Sequence, residues 1–145
     1  MKKCGFVTIM GRPNVGKSTL LNGLLNIHLA ITTDKAGTTR NSIEGIYQDD
    51  ESQIVFIDTP GIHKPIHKLG NVLNKTAYQN MNQADIILFM IDAKTGFGKG
   101  DQFILNKIKE TEDVPVFLLL NKVDKIAKET LFRTINKATQ DFTFQ

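Results

Sequence analysis

The chain has a single cysteine, Cys4, so it cannot form an internal disulfide. A domain that manages without disulfides suits a reducing compartment. The place of Cys4 in a first apolar strand predicts a small core residue. Long apolar runs are also missing, and none approaches the ~20 residues that a bilayer-crossing helix needs. The start, MKKCGFVTIMG, is basic and then apolar, but it is too short for a signal peptide and leads straight into a glycine-containing loop. There is no internal repeat, low-complexity stretch or linker. Neither sign of charge dominates, with a net charge of +3 over 145 residues. A pI near 9.0 is compatible with RNA contact but too mild to argue for it. What remains is an ordinary globular composition, 41% hydrophobic and 23% charged, in a chain long enough for one domain with a real core.

Apolar runs alternate with helical patterns. Gly5 to Met10 reads as a buried strand, and Ser18 to Leu25 as a helix with Leu20, Leu21, Leu24 and Leu25 on one face. Residues 28 to 41 lack a period and read as a loop. Ser42 to Gln48 and Gln53 to Asp58 flank Asp49-Asp50-Glu51-Ser52, a hairpin turn. Ile86 to Asp92 and Val114 to Asn121 are continuous apolar runs, the pattern of parallel strands covered on both faces. Asp101 to Glu110 and Lys128 to Ala138 read as the covering helices. The first has Ile104 and Ile108 on one face; the second has Leu131, Ile135 and Ala138. These elements predict a doubly wound α/β domain of the P-loop NTPase kind, a mostly parallel sheet with one antiparallel edge strand.

Three nucleotide motifs occur in order. GRPNVGKST, residues 11 to 19, fits G-x-x-x-x-G-K-[ST] with Gly11, Gly16, Lys17 and Ser18 in the fixed positions. Between a strand and a helix, such a loop turns successive backbone N–H groups toward one anion. The nucleotide-binding residues expected here are Asn14, Val15, Gly16, Lys17, Ser18 and Thr19. Lys17 is expected to reach the β- and γ-phosphates, and the Ser18 hydroxyl to ligate magnesium. DTPG follows at residues 58 to 61. Asp58, at a strand's carboxyl end, can hold the magnesium directly or through water. Gly61 can offer its N–H to the γ-phosphate. Thr38 and Thr39, in KAGTTRN, each carry a hydroxyl able to complete the magnesium shell, with Thr39 taken as the ligand. NKVD, residues 121 to 124, supplies Asn121, Lys122 and Asp124. The Asp124 carboxylate can accept from both N1–H and the 2-amino group of guanine, whereas adenine would leave it unpaired. Lys122 can lie across the base or brace the phosphate loop. Lys17, Thr39 and Gly61 are the expected catalytic set. His63, Lys64, His67, Lys68 and Lys75 form a basic stretch that reads as a solvated face or as a contact for RNA, a partner domain or nucleotide, and Arg12 and Arg40 are read similarly.

GRPNVGKST, KAGTTRN, DTPGIHKP with HKLG, and NKVD together resemble the Era family of bacterial GTPases, with DTPGIHKP the most specific of them. The resemblance covers essentially the whole chain. It implies binding of GTP and GDP, magnesium-dependent GTP hydrolysis, and a switch acting in small ribosomal subunit assembly, in the cytoplasm and partly at the inner membrane face. Family members are roughly twice as long, and their RNA-binding second half has no counterpart here. The sequence stops before the strand and Ser-Ala motif that complete the family's guanine pocket. The expectation is therefore a GTPase domain over residues 1–145, incomplete at its end, with an exposed last strand open to self-association. Gly37 stands where many Era sequences have Gln. Asn14 matches a residue that several relatives use to hold a potassium ion. Ile62 follows DTPG where GTPases of the Ras type carry a water-orienting Gln, so slow intrinsic turnover is expected. The alternatives are a nucleotide-binding module with negligible hydrolysis, and an ATPase, against which Asp124 argues.

Overall fold

The computed structural model describes residues 3–28, 43–57, 84–111, 113–140 and 142–145. Strand β1 (Lys3–Met10) leads into helix α1 (Lys17–His28). The hairpin of β2 (Ile43–Gln48) and β3 (Ser52–Ile57) follows, then β4 (Ile86–Asp92), helix α2 (Lys99–Ile108), β5 (Val116–Asn121), a short 3-10 turn (Val123–Lys125) and helix α3 (Lys128–Thr139). The five strands form one sheet in the order β2-β3-β1-β4-β5. β1 runs parallel to both β3 and β4, and β4 parallel to β5. Among the described strands only β2 is antiparallel, at the edge beside β3. This is the expected doubly wound sheet with one antiparallel edge strand.

The hairpin turn closes as its sequence requires. Asp49 Oδ1 accepts from the backbone N–H groups of Glu51 and Ser52 at 2.8 and 2.6 Å, a side chain acting in place of a backbone turn. The core has two layers. On one face Ile87, Phe89 and Ile91 of β4 pack with Ile104, Leu105 and Ile108 of α2 and Ala138 of α3. On the other, Val7, Ile9 and Met90 pack with Leu21 of α1. Burial on both faces is what the unbroken run IILFMID demanded.

Several boundaries differ from expectation. β5 begins at Val116 rather than Val114, because Pro115 has no N–H to donate and contributes only its carbonyl, which accepts from Ile87 at 3.0 Å. α1 gains Lys17 and runs on to His28. On α3 the most buried positions are Thr134 and Ala138, with Leu131 and Ile135 half-buried. Cys4 is exposed rather than a core residue. β4 pairs with β1 only from Val7 onward, so the first residues of β1 extend past that neighbour and its layer of side chains.

The last residues, Phe142-Thr143-Phe144, alternate in burial. Both phenylalanines pack against the α2/α3 core while Thr143 is exposed. The Phe144 ring stacks on Phe89 at 6.3 Å between centroids. The Gln145 N–H donates to the Val116 carbonyl at 2.9 Å, so the expected bare edge of β5 is occupied at its first residue.

Candidate nucleotide site

The site is built at the carboxyl ends of three adjacent parallel strands, β1, β4 and β5, where ligands bind in this architecture. The loop after β1 turns sharply. Asn14 has φ 67° and Gly16 φ 110°. A side chain at Gly11 would lie 2.7 Å from the Met90 carbonyl, so the loop can hug the end of β4 only with glycine there. A Cβ at Gly16 would run into the Asn121 amide. Val15 buries its side chain in the core, so it can serve a ligand only through its backbone. Lys17 Nζ donates back to the Gly11 carbonyl at 2.9 Å, closing the loop on itself.

The first helical bond of α1 runs from Leu20 N–H to the Gly16 carbonyl at 3.0 Å. The N–H groups before it have no acceptor within the helix. No acidic residue sits in the first turn to compete for them. Ser18 and Thr19 are exposed there. A positive helix end, N–H groups that lack an acceptor within the helix and an accessible hydroxyl form a place for an anion with its counter-cation.

NKVD lies directly beside this loop. Asn121 ends β5, paired in register with Asp92 at the end of β4. Its Nδ2 donates to the Val15 carbonyl at 2.8 Å. Lys122 sits in the left-handed region at φ 64°, a conformation that costs a non-glycine residue about 1–2 kcal/mol. Its ammonium offsets this by donating to Asp92 Oδ2 at 2.8 Å and to the Asn14 carbonyl at 3.2 Å. Of the two roles open to Lys122, the geometry shows the brace. Asp124 lies in the 3-10 turn with its side chain exposed, and no described residue pairs with it.

Asp92 was not singled out in the sequence. It is buried, and its second oxygen accepts from the N–H of Lys94 at 2.9 Å and Thr95 at 3.4 Å. Burial alone raises its pKa. The hydrogen bond and charge of Lys122, with the two backbone donors, outweigh burial and hold the carboxyl below its ordinary value. The signal available was its position, an acid closing an apolar strand, the same pattern that drew notice to Asp58.

Arg12 is not the solvated or partner-facing base expected. Its Nε donates to Asp101 Oδ1 at 2.9 Å and its Nη2 to Thr95 Oγ1 at 2.8 Å. The structure thus gathers Asn14, Val15, Gly16, Lys17, Asn121 and Lys122, with Ser18 and Thr19 on the adjoining turn and Asp124 on the rim. Thr38, Thr39, Arg40, Asp58, Gly61, Ile62 and the basic stretch from His63 to Lys75 lie outside the described residues.

Comparison with known proteins agrees with this geometry. The model of the 50S ribosome-binding GTPase family matches residues 6–122. GTPase Era of Leuconostoc citreum is 52% identical over 139 residues, 96% of this chain and 46% of its own length. GTPase Era of Clostridium kluyveri is 49% identical over 144 residues, 99% of this chain and 49% of its own. The chain thus spans about half the length of the curated relatives it matches. Two solved structures align over nearly all of it. One is Era in complex with MgGDPNP and a segment of 16S ribosomal RNA, 41% identical at a TM-score of 0.77, covering 99% of this chain and 50% of that one. The other is a variant of Aquifex aeolicus Era bound to GDP and aluminium fluoride, 42% identical at 0.75, covering 98% and 50%. With the phosphate loop, the guanine motif and the sheet order all in place, the chain belongs to the 50S ribosome-binding GTPase family, in its Era branch.

Proposed function

We propose that the chain binds GDP and GTP at this site and hydrolyses GTP as a slow molecular switch. One observation carries the reading: the NKVD turn is bonded directly to the phosphate loop, Asn121 to Val15 and Lys122 to Asn14. Two subsites so joined suit one ligand with a base at one end and phosphates at the other. The phosphate loop and the first turn of α1 would receive the phosphates, with Lys17 as the cation. Asp124, without a pairing partner among the described residues, would take the guanine edge.

The residues present fit a magnesium-bound polyphosphate. Ser18 offers an exposed hydroxyl at the anion-accepting helix end, and Thr39 and Asp58 are the proposed further ligands. When bound, the ion would neutralise phosphate charge. Gly61 is proposed to bind the γ-phosphate. Ile62 has no group to orient water, which supports slow turnover.

The Era structure that holds 16S ribosomal RNA supports a role in small-subunit assembly, although that chain is twice as long and no residue here is assigned to RNA. Among the described residues no helix is long and apolar enough to cross a membrane.

Titration of GDP into Asp124→Ala tests the reading. Affinity falls by roughly 2–4 kcal/mol, because a charge-assisted pair of bonds is lost. Asp124→Asn moves the preference toward xanthine nucleotide. Parental GDP binding in both variants would overturn the base assignment.

A further inference from the structure

The phosphate loop is held from a second side, by a contact that none of the three nucleotide motifs contains. Arg12, the residue after Gly11, turns away from the site toward the start of α2. Beyond its bonds to Asp101 and Thr95, its Nη2 lies 3.4 Å from the Gly96 carbonyl. Its methylene stem lies flat on Gly100, where a Cβ would come within 2.7 Å of Arg12 Cδ. Asp101 is fully buried. Both of its oxygens are used: Oδ1 by Arg12, and Oδ2 by the N–H of Gly98 at 2.9 Å.

A carboxylate buried this completely is costly without its cation. Arg12 is therefore held at α2, and it holds the backbone it belongs to. That backbone includes Gly11, whose carbonyl accepts from the Lys17 ammonium. The geometry points to Arg12 as a positioning residue. Its ion pair with Asp101 fixes the entry to the phosphate loop, and through the Gly11 carbonyl it sets Lys17 for the β-phosphate of the bound guanine nucleotide. This inference rests on the nucleotide reading above. The loop is then pinned between two buried acids, Asp92 through Lys122 on the base side and Asp101 through Arg12 on the other.

The test is the release of fluorescent GDP from the full chain, well below each variant's melting transition. Arg12→Ala and Asp101→Asn each accelerate release about tenfold, and the double variant releases no faster than either single one, since all three lose the same ion pair. Affinity for GMP, which lacks the β-phosphate, stays within about twofold of the parent; a general loosening of the fold would weaken GMP as well. If Arg12→Ala does not fold, Arg12→Lys gives the same comparison, because lysine keeps the charge but loses the planar fork. Unchanged release in the folded variants, additive effects in the double variant, or an equal loss for GMP would overturn the inference. Asp124→Ala serves as the control. If it releases GDP and the Arg12 variants do not, this inference fails alone; if it too is silent, the nucleotide reading fails first.

Discussion

The side-chain amide of Asn121 donates to the Val15 carbonyl at 2.8 Å across 106 residues of chain. The bond passes through the space that a side chain on Gly16 would fill. Phosphate loop and guanine motif therefore share one small volume, and it stays open because Gly16 is a glycine.

Gly16→Ala follows directly. Alanine there meets the Asn121 amide and must also hold φ near 110°. The strained backbone alone costs of order 1–3 kcal/mol. The variant is expected to unfold at lower denaturant and to lose GDP affinity, as read by chemical denaturation and nucleotide titration. Parental values in both would show that the loop repacks freely.

The Lys122–Asp92 pair predicts a pH dependence. The folded Asp92 pKa lies below its unfolded value, so the unfolded chain takes up the proton first as pH falls. The stabilisation is fully present above the unfolded carboxyl value of about 4 and is lost as pH drops through the folded one. Asp92→Asn is expected to remove this acid-side loss, and Lys122→Ala to cost about 1–2 kcal/mol at neutral pH, discounted because the ammonium is partly exposed. Denaturation midpoints from neutral to acid pH check both. A Lys122→Ala midpoint that tracks the parent throughout would remove the pair from the stability of the site.

Asn14 sits exposed in the loop at a positive φ, its carbonyl taken by Lys122. Its side-chain amide has no partner among the described residues and is exposed, so a monovalent ion could reach it. Potassium is expected to accelerate single-turnover GTP hydrolysis more than sodium does, with the difference lost in Asn14→Asp. Equal rates in the two salts would dismiss the ion.

Phe144→Ala removes the ring stacked on Phe89. Such a pair contributes about 0.5–1.5 kcal/mol beyond the area it buries. The variant is expected to unfold earlier and to bare the start of β5, so that mass by sedimentation rises with concentration more steeply than in the parent. An unchanged midpoint and mass would mean that the terminal residues contribute nothing to the edge they adjoin.

Much of this was legible in the chain itself. IILFMID reads as a central strand because it is apolar without a break, and it is one residue for residue. The phosphate loop and NKVD declare themselves because their chemistry requires fixed spacings. The contacts that join them do not. Arg12 and Asp101 stand 89 residues apart, and Lys122 and Asp92 stand 30 apart, with no local pattern to connect either pair. Lys122 is legible as the cation of NKVD, whereas its bonds to Asp92 and Asn14 depend on the left-handed turn and on no spacing in the sequence. The apolar strand around Cys4 predicts burial, but its exposure depends on where the neighbouring strand begins.

That exposed thiol has a practical use. Cys4 lies on β1 seven strand positions before Gly11, which at the rise of an extended chain is roughly 20 Å. As the chain's sole cysteine, it lets a maleimide dye attach at one defined point without any mutation. The fluorophore would sit at the end of the sheet remote from the phosphate loop, where it can follow tumbling and serve as an energy donor to a labelled ligand bound at that loop.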